Sequence, residues 1–253
     1  TIFKLSNLRD SWTIDTIGDI KKSLATLIPP EIDNIFQLYV FSEGSTIDES
    51  KIIVNSSDYS YDYRIDFSVS EDGNADIYIK RDEFDFGNSF NDVVKSPYFQ
   101  KADLDYFKGV PIEKHYKFNE ILPDIDVNTI GAFRGTLYFA KLSAPNKEEK
   151  EKYFYKDMIS RRDTRDTFGG IKIYRDNFRV RPYGEVKTTA FDWLLLANRK
   201  AKSPAAVSSS GLWRVGAEQM LGAVHISRLN VNLPDQSNRE GIVETKEFSY
   251  FRE

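Results

Sequence analysis

Apolar and polar positions repeat with two different periods along this chain, and the switches between them mark its elements. Ile14, Ile17, Ile20, Leu24, Leu27 and Ile28 recur at helical spacing. Thr13 stands where an N-cap belongs and Asp15 lies in the first turn, so a helix is predicted from there to a stop at Pro29-Pro30. Residues 2–6 and 36–41 alternate well enough to predict short strands. Residues 61–69 and 75–80 alternate in strict period two about Glu71-Asp72-Gly73-Asn74, which predicts a hairpin. Residues 131–142 predict a central strand, and Asn146 caps a charged helix expected over 147–162, with Tyr153, Phe154 and Met158 turned inward. A second hairpin is predicted from residues 171–174 and 178–183, bending at Arg175-Asp176-Asn177. A short helix around 192–196, an apolar strand over 219–227, a polar loop over 229–239 and a closing helix over 241–251 complete the chain.

This order predicts an α+β fold: a mixed sheet from residues near 61–69, 75–80, 131–142, 171–183 and 219–227, with helices, including 147–160 and 242–251, mainly on one face. A strand and one helix cannot make a core, so residues 1–30 are expected to be the βα tail of a preceding domain. Residues 31–253 then form the α+β domain itself. Residues 82–128 are dense in acidic residues and in Phe and Tyr, and lack sustained periodicity. They predict a long insertion whose aromatic side chains tuck onto the core, in preference to an acidic docking segment. Residues 199–213, rich in Lys, Ala and Ser, predict a surface loop; these two stretches are the expected irregular parts.

Composition narrows the chemistry. With 253 residues the chain can bury one good core, or one core with a smaller satellite. The 35 basic and 39 acidic residues give a formal net charge of -4, unsuited to general binding of nucleic-acid backbones. Zero cysteines exclude disulfides and thiolate metal sites and fit a cytoplasmic setting. His115 and His225 are too few for a histidine metal cage, and no apolar run is long enough to predict a membrane span. Arg175, Arg179 and Arg181 are expected to alternate on the outer face of a strand, near Arg161, Arg162 and Arg165. His225, inside an apolar strand, predicts a packed residue, and Trp193 and Trp213 predict core or loop anchors. Asp192 and Glu240 have no visible carboxylate partner, which argues against a stand-alone hydrolase.

The last hundred residues carry the most specific pattern. A hairpin (Gly170-Ile-Lys-Ile-Tyr-Arg-Asp-Asn-Phe-Arg-Val), a short helix (Asp192-Trp-Leu-Leu-Leu) and a strand (Gly222-Ala-Val-His-Ile-Ser) lead to the loop Leu233-Pro234-Asp235-Gln236-Ser237-Asn238-Arg239-Glu240. This order resembles the middle domain of the ninety-kilodalton heat-shock chaperones. More broadly it is similar to the transducer domain of the GHKL ATPases, which include MutL, the type II topoisomerases and the MORC proteins. Arg175-Asp-Asn-Phe-Arg-Val-Arg-Pro-Tyr-Gly184 looks like a segment of bacterial histidine-kinase-like ATP-binding proteins. The resemblance is strong over residues 170–250 and weak over 31–169. It implies that Arg239 is a phosphate-sensing arginine, with Gln236 and Asn238 beside it. Gln236 stands where the chaperones carry Asn, and Asn238 where they carry Ser.

By the same resemblance, Ile2-Phe3-Lys4-Leu5 and Asn7-Leu8-Arg9-Asp10-Ser11-Trp12 are similar to the last strand and helix of a GHKL nucleotide-binding domain. The Glu/Asn helix that holds magnesium and the Asp-x-Gly-x-Gly stretch that holds adenine have no counterpart in the sequence. The chain is therefore expected to be a fragment that binds ATP weakly alone. Its implied partner is its own N-terminal ATPase domain, which would hold ATP and magnesium, and the intact protein could dimerise. A non-catalytic interaction module of the same fold is the alternative.

Overall fold

The computed structural model describes residues 2–6, 8–28, 37–42, 44–52, 61–95, 97, 104–105, 107–142, 146–148, 154–156, 162–202, 214–237 and 240–253. Seven strands form one mixed sheet: β1 (Tyr63–Val69), β2 (Asn74–Arg81), β3 (Ile112–Lys117), β4 (Phe133–Phe139), β5 (Gly170–Arg175), β6 (Phe178–Val180) and β7 (Met220–Ile226). Their order is β3-β2-β1-β4-β7-β5-β6, and every neighbouring pair is antiparallel except β5 and β7. The expected α+β class holds. The helices that matter for the site are α1 (Ile14–Ala25), α2 (Arg162–Phe168), α3 (Leu196–Ala201) and α4 (Lys246–Arg252).

The β1–β2 hairpin turns where its sequence dictates. Gly73 takes φ 74°, a left-handed conformation that a Cβ disfavours, and Ser70 N donates to Asn74 O at 2.9 Å to close the turn. The β5–β6 bend uses Asp176 at φ 52° in the same role. Strand alternation then assigns the two faces. Ile171, Ile173, Val180, Met220, Val224 and Ile226 enter the main core with Trp193 and Phe248. On the opposite face Tyr138 and Leu221 pack with Tyr61 and Phe168 in a smaller cluster. Trp193 is an anchor as expected: its indole donates to Ile171 O at 2.7 Å while its ring stacks on Phe248. Trp213 lies outside the described residues.

Several local expectations are corrected. Residues 2–6 join no strand among the described residues, and Ile2, Phe3 and Leu5 are exposed. Described residues 37–41 contribute one isolated bridge, Tyr39 to Lys51. The stretch 82–128 is not merely an insertion. It supplies β3, whose register with β2 runs from Asn74↔Lys117 to Ile79↔Ile112. Its aromatics do tuck in, as Phe84, Phe86 and Phe107 pack edge to face and Phe154 and Tyr155 join them. Residues 147 and 148 are helical, as expected after Asn146, but the helix expected over 147–162 does not run through: Phe154 adopts φ 55° and Tyr155 bridges to Phe84. Residues 149–153 and 157–161 lie outside the described residues, and a separate helix runs over Arg162–Phe168.

Further along, the helix expected at 192–196 is shifted. Asp192 instead caps α3, its carboxylate accepting from Leu196 N at 2.7 Å and Ala197 N at 2.9 Å. Residues 199–201 belong to that helix, and 203–213 lie outside the described residues. The closing helix starts at Lys246, not 241, because Thr245 is its N-cap and accepts from Phe248 N.

Candidate functional site

The loop after β7 is built from its base upward. Leu233 and Ile242 are fully buried and fix the two ends of the segment between them. Asp235 and Ile242 form a β-bridge, Gln236 N donates to Gly241 O at 2.8 Å, and Val243 N donates to Pro234 O at 2.8 Å. Residues 234–236 and 241–243 are thus two arms joined by hydrogen bonds. Gly241 has φ 146°, a conformation open to glycine, and an added Cβ would meet the Gln236 amide and the Tyr183 hydroxyl at ordinary contact distance. Tyr183 supports the returning arm, its hydroxyl accepting from Ile242 N at 3.1 Å.

One side chain braces this loop from the sheet. Arg175, at the end of β5, donates from Nε to Asp235 Oδ1 at 2.8 Å and from Nη1 to Ser227 O at 3.1 Å and Asn230 O at 3.4 Å. Its Nη2 donates to Leu233 O. Five donors in a planar fork suit one arginine to several loop carbonyls and a carboxylate at once. The side chain is only 11% exposed. Asn230 adds a second brace, its Nδ2 donating to Ile130 O at 2.8 Å, and Asn232 Nδ2 donates to Asn128 O at 2.7 Å.

The opposite face of β5 and β6 is polar and buried. The Tyr174 hydroxyl donates to Thr26 O at 3.0 Å, and Arg179 Nη1 donates to Thr26 Oγ1 at 2.8 Å and Thr26 O at 3.4 Å. These donors meet carbonyls at the C-terminus of α1, which have no partner further along their own helix. Lys172 lies under them and donates to Phe168 O at 2.6 Å and Gly169 O at 2.8 Å, the carbonyls that end α2. Burial, with the Arg179 guanidinium, pushes its ammonium down to about 7, while Glu185 opposes the shift. Burial also pushes the Tyr174 hydroxyl up to about 12. Thr26, Ile28, Phe168, Lys172, Tyr174, Leu221 and Gly222 line a recess with room for little more than a water molecule.

Of the residues singled out from sequence, Gln236 is described and Asn238 and Arg239 lie outside the described residues. Gln236 is half-buried, and its Nε2 approaches Ile242 O at 3.4 Å. His225 is packed as expected, stacked on Tyr174. The expectation that Arg175, Arg179 and Arg181 share a solvated outer face is overturned. Arg175 shares the parity of Ile171 and Ile173 and reaches the loop, whereas Arg179 pairs with Tyr174 on the other face. Arg181, past the strand, faces Glu185 at 3.8 Å and is about half exposed. The signal for Arg175 was present in the alternation: a charge on an apolar parity needs partners. No family model, curated protein or solved structure matches this chain. What the loop does is read from its residues and their contacts.

Proposed function

We propose that this chain is the transducer domain of a GHKL-type ATPase, and that its 233–241 loop presents Arg239 to the terminal phosphate of ATP held by a separate nucleotide-binding domain. The observation that carries this reading is the braced loop. The residues that flank Arg239 in sequence, 234–236 and 241–243, are arms joined by hydrogen bonds, and Arg175 holds the base of the first, an arrangement suited to aiming a long cation carried between them. An arginine so held offers paired donors to equatorial phosphate oxygens and stabilises their charge as transfer proceeds. Placing it on a second domain makes turnover conditional on domain closure. Adenine and magnesium contacts belong, on this reading, to the nucleotide-binding domain. Among the described residues no group of three or more His, Asp or Glu is arranged to hold a metal, and no helix is long and apolar enough to cross a membrane.

The alternative, a non-catalytic interaction module, draws support from one feature: the Gln236 amide turns back toward Ile242 O instead of leaving the loop. One substitution separates the two readings. In the protein that carries both domains, Arg239→Ala should leave nucleotide affinity nearly unchanged and lower turnover by about 10³-fold. Arg239→Lys should recover part of the loss, because an ammonium keeps the charge without the fork. Unaltered turnover in the alanine variant would leave the interaction module as the better reading.

A further inference from the structure

We propose that β5 is a two-sided coupling element, in which Arg175 is the positioning residue for the 233–241 loop and Tyr174, its chain neighbour, ties that loop's position to the end of α1. The role assigned to the loop rests on the reading above; the coupling itself does not. Adjacent residues of a strand point to opposite faces, so a movement of β5 is felt on both at once. On one face Tyr174 and Arg179 hold the terminal carbonyls of α1 through Thr26. On the other Arg175 holds Asp235, Leu233, Asn230 and Ser227. The tip of the hairpin is fastened to the start of the same loop: Asp176 N donates to Ile226 O at 3.0 Å, and Arg228 N donates to Asp176 Oδ1 at 3.2 Å.

The lever is short and has little slack. β6 pairs with β5 over three residue pairs, and Arg179 is the cross-strand partner of Tyr174, so α1 is gripped by both strands of one hairpin. β5 is also the strand that runs parallel to β7, from which the loop emerges. A displacement of the α1 terminus that breaks the Thr26 contacts frees the hairpin on one face. The hairpin can then tilt about its β7 ladder and carry the Arg175 fork out of register with the loop carbonyls. Four hydrogen bonds converging on one guanidinium make that loss abrupt, because a small rotation of the fork misaligns several of them together. The position of the α1 terminus thereby regulates how firmly the 233–236 arm is held.

Amide hydrogen exchange on this chain tests the proposal without a nucleotide. Arg175→Ala should raise exchange at Gln236 and Val243, whose amides close the loop, by about tenfold or more, with β4 and β7 unchanged. Arg175→Lys should give an intermediate rise. If the alanine variant loosens the whole sheet, Asp235→Asn decides, since it removes one charged contact and leaves the core intact. A loop-only rise there supports the brace, and an unchanged loop overturns it. For the coupling, Tyr174→Phe should raise exchange both at the end of α1 and in the loop, and its effect on the loop should be smaller in the Arg175→Lys background. Additive effects would overturn the coupling. In the protein with both domains, Arg175→Lys should lower turnover by roughly 10- to 100-fold at constant nucleotide affinity. If Arg239→Ala has no effect while the exchange results hold, the phosphate reading fails and the coupling stands.

Discussion

The two hairpins of the sheet look alike in sequence and differ in what their polar residues do. In the β1–β2 hairpin, Arg64 and Asp66 pair along one strand at 2.9 Å, both about a third exposed, and Thr136 donates to Asp66 from the next strand at 2.6 Å. Those contacts stay on one sheet face near solvent. In the β5–β6 hairpin Tyr174, Arg175 and Arg179 reach residues 52 to 153 positions away and are largely buried. Alternation alone cannot separate the cases, because period two reports which face a residue takes and not what covers that face. The first hairpin has a solvated polar face. The second has helix ends on one face and a braced loop on the other, so each polar position becomes a tertiary connector that must be satisfied.

The largest test of that contrast uses the glycines beside each hairpin. Gly184 has φ 66°, and an added Cβ would lie 2.2 Å from Ile171 O, at the start of β5, where backbone cannot yield cheaply. Gly184→Ala should therefore cost about 3–5 kcal/mol, combining left-handed strain with a backbone clash. Gly73, in the β1–β2 turn, has φ 74°, and its nearest new neighbour would be the Val127 side chain at 3.4 Å. Gly73→Ala should cost only the conformational strain, about 1–2 kcal/mol. Urea unfolding of the two variants measures both, and equal costs would erase the distinction between a turn that is merely bent and one that is also packed.

Much of this was legible beforehand, and the misses share a cause. The β1–β2 turn, the central strand, the β5–β6 hairpin and the apolar β7 all carry local signals, and each forms within a few residues of where those signals place it. β3 was not legible because Ile112-Glu-Lys-His-Tyr-Lys117 is polar at nearly every position. It is an edge strand that leaves most of its side chains exposed, so no apolar face marks it. The expected 147–162 helix starts in place at 147–148 but is interrupted by a distant partner, since Phe154 and Tyr155 are drawn into the Phe84–Phe86–Phe107 cluster. Beside that cluster, Glu83 is buried and receives Lys141 Nζ at 2.5 Å, Arg81 and the Tyr63 hydroxyl, contacts that no local pattern announces. For the loop, the motif named Gln236 and Arg239, but two of the residues that hold its described arms, Arg175 and Tyr183, are more than fifty positions away in sequence.

A pH titration gives a second, smaller contrast, because a buried lysine lies on the β5–β6 side. In the folded chain Lys172 ionises near 7, and unfolded near its ordinary 10.5. Between those values the unfolded chain binds a proton that the folded chain lacks, so raising the pH favours folding. Below about 7 both states are charged, and above 10.5 both are neutral, so the contribution is flat at either end. Tyr174 acts in reverse above pH 10, where the folded hydroxyl keeps a proton that the unfolded one loses. Stability should climb by an amount on the order of a few kcal/mol from neutral pH toward 10 and then fall. Lys172→Met should flatten the climb and preserve the fall. A wild-type profile that is level from 7 to 10 would mean that the carbonyls of Phe168 and Gly169 keep the ammonium charged in spite of its burial.

The smallest effect is expected at Arg64, the arginine of the other hairpin. Its ion pair with Asp66 is bidentate, with Nε and Nη2 both donating, and its guanidinium lies 5.9 Å from the centre of the Tyr138 ring. Geometry of that quality would matter in a buried setting. Here the two side chains are 34% and 37% exposed, so water can replace most of what the pair supplies. Asp66 would still accept from Thr136, which keeps one hydrogen bond on its carboxylate after the arginine is gone. Arg64→Gln should thus lower stability by less than about 1 kcal/mol, and added salt should shrink the difference further, as it does for solvent-screened pairs. A loss as large as that of Gly184→Ala, insensitive to salt, would show that the face of β1 is a connector too, and the contrast between the hairpins would fail.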